Sequence, residues 1–377
     1  MEEVIKKESL TREGPGEIKQ AVELQNKGIK LNPQFEPLIN PETFQEINPF
    51  NEQELSESKG LFTVKTANRW IEQAKTRPIP KMLFGEFWFE GELCILFADT
   101  NLGKSILGVQ ISNSISRGEQ IPGFKLEACK QRIVYFDFEL SDKQFEIRYS
   151  KQYADHYEFN DYFYRAEINS DAPIPEGYES FETYLNQSLE QTIIETGANV
   201  LIIDNLTYLK SATETAKDAL PLMKHLKALK SKFNLSILAL AHTPKRDLSK
   251  PITRNDLQGS KMLINFCDSS FSIGESSTDK SIRYLKQIKA RNTEIIYDSE
   301  SVCICQIDKP FNFLQFEFVS FGTERDHLKQ ITEKDRAGEK ERIIEMKQQG
   351  KSLREIGSEL GISHMKVSRV LKDCNGL

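Results

Sequence analysis

The sequence predicts an α/β fold, a mainly parallel sheet covered by helices, with a small all-α module appended. Three observations lead there. Four short apolar runs, "GELCILFA", "QRIVYFDFEL", "ANVLIIDNLTYL" and "NLSILALAHT", carry the near-continuous hydrophobicity of strands buried on both faces. Helically spaced stretches, "GKSILGVQISNSISRG" and "AKDALPLMKHLKALKSKF", alternate with them, as crossovers between parallel strands require. From Glu339 to Leu377 the period becomes helical alone, with glycines as punctuation.

Taken in order, residues 1–60 hold twelve acidic and seven basic side chains and five prolines, with little apolar periodicity. That composition predicts a flexible acidic arm. The first residues, "MEEVIKKESLTREG", lack the apolar core of a signal peptide, and no apolar run approaches the roughly 20 residues of a membrane span. Six scattered cysteines suit a reducing compartment, so a soluble, cytoplasmic chain without a membrane partner is expected. From Gly91 the order is strand, loop, helix, strand, and the main domain is expected over residues 61–328. After Thr243, "SSFSIGE", "IRYLKQIKA" and "LQFEFVSF" read as shorter strands in a meander closing the sheet edge. In "SVCICQID", Cys303 and Cys305 share a strand face; with no second pair at ligand spacing they read as buried structural thiols. Residues 329–338 are charged and poor in apolar side chains, as in a linker. The net charge of −6 argues against a uniformly basic nucleic-acid coat, but segregated charge can still serve one.

The chemistry begins at "ADTNLGKS". Gly103, Lys104 and Ser105 take the last three places of G-x-x-x-x-G-K-[ST], between a strand and a helix. Backbone N–H groups from Ala98, Asp99, Thr100, Asn101, Leu102, Gly103, Lys104, Ser105 and Ile106, at the positive end of the helix, suit a cradle for ATP phosphates. Lys104 is expected on the β and γ phosphates and the Ser105 hydroxyl on magnesium. Ala98 replaces the customary first glycine, a change tolerable where φ is negative. Asp204 ends the buried run "VLIID" and is expected to hold the magnesium shell in the crevice beyond the strand ends. In "YFDFELS", period two puts Asp137 and Glu139 on one face. Glu139, nearer the strand end, is the better candidate for activating water, and Asp137 is open to a structural role.

These residues resemble RecA-like ATPases, and among them the hexameric helicases of the DnaB type and the RepA helicases of plasmids and mobile elements. The resemblance covers Phe84 to Phe318. Alanine at the first loop position is frequent in DnaB-type helicases, and "FELSDKQFEIR" is similar to their E-[ML]-S strand end, followed nine residues later by arginine, here Glu139 and Arg148. The resemblance implies that Glu139 is the catalytic base, that Asp204 is the second magnesium-site carboxylate, and that His242, ending "LALAH", is the γ-phosphate sensor; a core histidine is the plainer alternative. It also implies that Lys289 and Arg291, the K-x-R of "LKQIKARN", reach into a neighbouring subunit of a ring. An exposed basic strand edge is the plainer alternative there. In the long polar stretch "TPKRDLSKPITRNDLQGSK", the family's channel loops imply that Lys245, Arg246, Lys250 and Arg254 grip single-stranded DNA; a solvated loop accounts for them equally.

At the C-terminus, Leu353, Ile356 and Leu360 share one helix face, Gly361 makes a turn, and Ile362, Val367 and Val370 complete the apolar set. The spacing resembles a helix-turn-helix, with Gly357 where alanine is usual, and predicts a duplex DNA-binding module over residues 339–377. Ser363, His364, Lys366, Ser368 and Arg369 are its candidates for phosphates or base edges. A three-helix protein-interaction module remains the alternative. Together these readings predict an ATP- and magnesium-dependent, DNA-binding, ring-forming enzyme, a helicase or remodelling ATPase. An ATP-gated, site-specific DNA-binding regulator is the competing expectation.

Overall fold

A computed structural model describes residues 62–169, 174–206, 219–244, 246–257, 260–330 and 333–375. The acidic arm of residues 1–60 and Lys245 lie outside the described residues. The chain divides into two compact units, Met1–Ile79 and Pro80–Leu377. In the first, helix α1 (Ala67–Lys75) is capped by Thr66, whose hydroxyl accepts from the Arg69 amide, and none of its residues is buried.

The second unit opens with an antiparallel pair, β1 (Met82–Phe84) and β2 (Trp88–Phe89). Then come β3 (Leu93–Ala98), α2 (Lys104–Arg117), β4 (Ile133–Asp137), α3 (Asp142–Arg148), the short pair β5 (Ser150–Lys151) and β6 (Asp155–His156), and β7 (Phe163–Ala166). They are followed by α4 (Phe181–Thr196), β8 (Val200–Asp204), α5 (Ala219–Phe233), β9 (Ser236–His242), α6 (Ser260–Phe266), β10 (Ser269–Glu275), β11 (Ile282–Lys289), β12 (Val302–Asp308) and β13 (Gln315–Gly322).

Among the described residues one sheet of nine strands runs in the order β13-β12-β11-β10-β3-β9-β8-β4-β7. From β10 to β7 neighbours are parallel; β11, β12 and β13 add an antiparallel meander at one edge. Because β9 and β8 lie between β3 and β4, the chain leaving β3 crosses over two strands, and a crevice opens at the C-terminal strand ends.

Period-two alternation divides the core cleanly. Cys94, Leu96 and Ala98 pack on one face with Leu107, Ile111 and Ile115 of α2, whereas Leu93, Ile95 and Phe97 pack on the other with Met223, Leu226 and Leu229 of α5. Cys303 and Cys305 are both buried on the α2 face and both free, as their alternation suggested. The strands after Thr243 are not shorter. β11 and β13 have eight residues each against five in β4 and β8. A meander needs no crossover helix, and β13, at the sheet edge, runs on with its last residues exposed.

At the C-terminus lie α7 (Glu333–Gln348), α8 (Leu353–Leu360) and α9 (His364–Asn375). The expected linker is thus helical from Glu333 onward, since "EKDRAGEKER" contains strong helix formers and no proline to stop them. Ile343, Met346, Ile356 and Val367 form a separate small core, with Leu353, Leu360, Ile362 and Val370 packed against it. A capping box of Ser352 and Glu355 starts α8, and Gly361 ends it with φ +66°. Gly357 has a steric reason: a Cβ there would lie 2.7 Å from the Ile362 carbonyl oxygen, so the alanine usual at this place would force the turn open.

Candidate active site

The loop leaves β3 at Ala98, a buried residue in extended strand backbone, so its methyl group is accommodated and no left-handed conformation is demanded of it. Left-handed geometry falls instead on Asn101, with φ +63°, and Gly103, with φ +95°. Gly103 is required twice over, because a Cβ there would lie 2.8 Å from Ile307 and 2.9 Å from Phe316. It ends the loop as the N-cap of α2. Thr100 is turned inward on itself, its amide donating to Asp99 Oδ1 at 2.7 Å. The first-turn amides of α2, from Lys104, Ser105 and Ile106, have no partner further back in the helix, as an anion cradle needs.

Lys104 is buried, and its Nζ donates to the carbonyls of Ala98 at 3.1 Å and Asp99 at 3.0 Å and to His242 Nδ1 at 3.1 Å. Burial lowers the pKa of its ammonium, opposed by the nearby charges of Asp204, Glu139 and Asp99.

Asp204 ends β8 wholly buried. Tyr135 donates to its Oδ2 at 2.6 Å, while Oδ1 is buried without a hydrogen-bond partner of ordinary geometry. Ser105 stands close enough for its hydroxyl to favour the charged carboxylate. An orphaned carboxylate oxygen beside a hydroxyl is a hard-oxygen donor pair that fits magnesium, which takes few protein ligands and completes its shell with water and phosphate oxygens. Among the described residues no group of three or more His, Cys, Asp or Glu could cage a metal alone.

Burial raises the Asp204 carboxyl from its ordinary 3.8 to about 6, against hydrogen bonds from Ser105 and Tyr135. A raised carboxyl costs stability wherever it must ionise, fully above pH 6 and not at all below about 4. Asp204→Asn should therefore stabilise the nucleotide-free protein at pH 7.5, by up to roughly 3 kcal/mol, with the gain fading as pH falls from 6 to 4. Thermal melting at pH 7.5 and pH 4.5 checks this; a variant less stable at pH 7.5 contradicts it.

The two carboxylates of "YFDFELS" have different environments. Asp137 is fully buried: Oδ1 accepts from the amides of Glu139 and Leu140, and Oδ2 from Arg165 Nε at 3.0 Å. Arg165 also bridges to Asp142 and the Leu140 carbonyl, so Asp137 secures the turn after β4. Glu139 stands two residues beyond the strand, with its side chain 39% exposed and Oε1 3.2 Å from His242 Nε2. The hydrogen bond from His242 holds the Glu139 carboxyl below its usual range, with burial opposing and the charges of Lys104 and Arg148 assisting. Since an ammonium only donates, His242 Nδ1 must accept from Lys104, which puts the ring proton on Nε2, facing Glu139.

Other expected residues lie elsewhere. Lys289 pairs in register with Ser270, which pairs with Ile95 in the middle of β3. Lys289 Nζ donates to the carbonyls of Ile264 and Cys267, and Arg291 pairs with Asp268, whose carboxylate also accepts from the Leu93 amide. Arg291 is therefore at the edge where β3 begins, roughly 16 Å of strand from the loop at its end. Neither residue reaches the G-K-S loop of this chain. The polar stretch after Thr243 is also better anchored than its composition suggested. Ile252 is buried, its amide donating to Glu324 Oε1 at 2.7 Å and its carbonyl accepting from Lys286 Nζ at 2.8 Å. Arg246 bonds the Lys250 carbonyl, Lys250 pairs with Asp247, and Arg254 is exposed on a 3-10 turn.

On the C-terminal helices Ser363, His364, Lys366 and Arg369 are exposed and Ser368 is half-buried. Ser363 caps α9 and Lys366 pairs with Glu339 at 2.7 Å. Arg165, Tyr135 and Asn205, which contact the site carboxylates, escaped the sequence reading; only the tertiary structure brings them there.

Residues 62–247 match the model of a family described as the AAA domain. No curated protein matches the chain. Among the described residues no helix is long and apolar enough to cross a membrane. A strand, a G-K-S loop and a helix, with Asp204 and Glu139 at the ends of neighbouring strands, lie within the matched span, an arrangement consistent with the P-loop NTPase fold to which this match points.

Proposed function

We propose that the chain binds and hydrolyses ATP with magnesium and couples that reaction to DNA as a ring of identical subunits, in the manner of RepA- and DnaB-type helicases. The observation that carries the reading is the convergence of Lys104, Ser105, Asp204, Glu139 and His242 at the C-terminal ends of β3, β4, β8 and β9. Lys104 exchanges its contacts with the loop carbonyls for the β and γ phosphates. Magnesium, held by Ser105 and Asp204, supplies charge neutralisation on the same phosphates when bound. Glu139 accepts a proton as water attacks the γ phosphorus and the bond to the bridging oxygen breaks; His242 reads the γ phosphate. Arg291 offsets the developing charge from a neighbouring subunit, a role that suits its distance from its own loop.

DNA contacts are assigned to Arg246, Lys250, Arg254 and Lys245 for a single strand, and to Ser363, His364, Lys366, Ser368 and Arg369 for duplex. The anchoring of Ile252 by Glu324 and Lys286 favours a second reading, an ATP-gated site-specific DNA-binding regulator, because a pinned loop suits switching better than stepping. Strand separation driven by ATP selects the helicase, and site-specific duplex binding without it selects the regulator. The C-terminal helices have their own core. Ending the chain at Gln330 is therefore expected to abolish selective duplex binding and leave basal phosphate release within about twofold. Loss of ATPase on truncation contradicts this division of labour, and retained duplex selectivity removes the case for a DNA-reading tail.

A further inference from the structure

Asn205 follows the magnesium-site carboxylate directly and is 4% exposed. Its Nδ2 donates to Glu139 Oε1 and lies 3.1 Å from His242 Nε2. The contact with His242 is not itself a hydrogen bond. Lys104 fixes the proton of His242 on Nε2, so Nε2 and Nδ2 are both donors, and both point at the same oxygen, Glu139 Oε1. Two donors from the ends of neighbouring strands, His242 on β9 and Asn205 just past β8, thus occupy one carboxylate oxygen. We infer that Asn205 is a positioning residue that, with His242, locks Glu139 through Oε1 and leaves Oε2 to take the proton from the attacking water.

The chemistry of the position accounts for the residue type. An amide can donate without carrying charge, whereas a carboxylate here would repel both Glu139 and Asp204. A hydroxyl on a shorter stem would fall short of Oε1. Glu139 is two residues beyond its strand and its side chain is 39% exposed, so without these two donors its rotamer would be fixed by little else. A general base held loosely loses rate through misplacement and not through weaker substrate binding.

This inference rests on the reading of Glu139 as the base, and the experiment separates the two. Steady-state ATP hydrolysis with magnesium, ADP affinity and thermal melting are measured on the full chain for wild type, Asn205→Ala, Asn205→Asp, Glu139→Gln and the double variant Asn205→Ala with Glu139→Gln. Asn205→Ala should lower kcat roughly tenfold while KM and ADP affinity stay within about twofold. In the Glu139→Gln background it should cost nothing further, because the group it positions is already gone. Wild-type kcat in Asn205→Ala, the same loss with and without Glu139, or a loss confined to KM and ADP affinity would each overturn the assignment. If Asn205→Ala does not fold, Asn205→Asp decides, since it keeps the shape, removes the donor and adds a charge that pushes Glu139 away: wild-type kcat there is equally fatal. Full turnover by Glu139→Gln would instead remove the underlying reading of the base.

Discussion

Glu139→Gln is expected to bind ATP with near wild-type affinity and to release phosphate at least about a hundredfold more slowly, as loss of a general base at an otherwise intact site requires. The amide keeps the shape and can still meet His242, but it cannot take a proton. Asp137→Asn gives the opposite pattern. Asp137 is buried against Arg165 and two backbone amides, so its loss leaves a half-buried guanidinium partly unpaired and lowers the melting temperature first. Nucleotide-binding titrations and single-turnover phosphate release on both variants separate these cases. Should Asp137→Asn bind without hydrolysing while Glu139→Gln turns over, the two roles are reversed.

Lys104→Ala is expected to remove both binding and turnover, with hydrolysis reduced at least about a hundredfold, because a preorganised cation on transferring phosphate is worth several kcal/mol. The variant should also melt no lower than wild type. Lys104 is buried at a cost to its ammonium, and its partners are two loop carbonyls and one ring nitrogen with no carboxylate in direct contact. A folded Lys104→Ala protein with wild-type turnover would place the phosphate site elsewhere.

How much of this was legible in the sequence follows from how far each interaction reaches along the chain. The loop was legible because its parts are contiguous: a buried strand, Gly103-Lys104-Ser105 and a helix ending at Gly118 are local features, and even the Ala98 exception resolves locally, in strand backbone. Asp204 and Glu139 were legible because each ends an apolar run. Asn205 was not, since the oxygen it serves is 66 residues away in sequence. The same holds for the stretch after Thr243, which reads as solvated polar loop yet is tied by Ile252 to Glu324, 72 residues on. Arg291 belongs to a third kind: its sequence pattern marked it as special, but only the strand register puts it at the far edge from its own loop. The helix α4 and strand β7 went unread because their apolar residues are mostly half-exposed and give weak periodicity.

The central claim, that Lys104, Ser105, Asp204 and Glu139 make a working magnesium-dependent ATP site, is tested most directly by phosphate release from ATP by the full-length wild-type protein, with magnesium present and then chelated. Release that saturates with ATP and stops on chelation is the expected result. A folded protein that neither binds nor hydrolyses ATP at any magnesium concentration, or that hydrolyses it equally well after chelation, would contradict the claim.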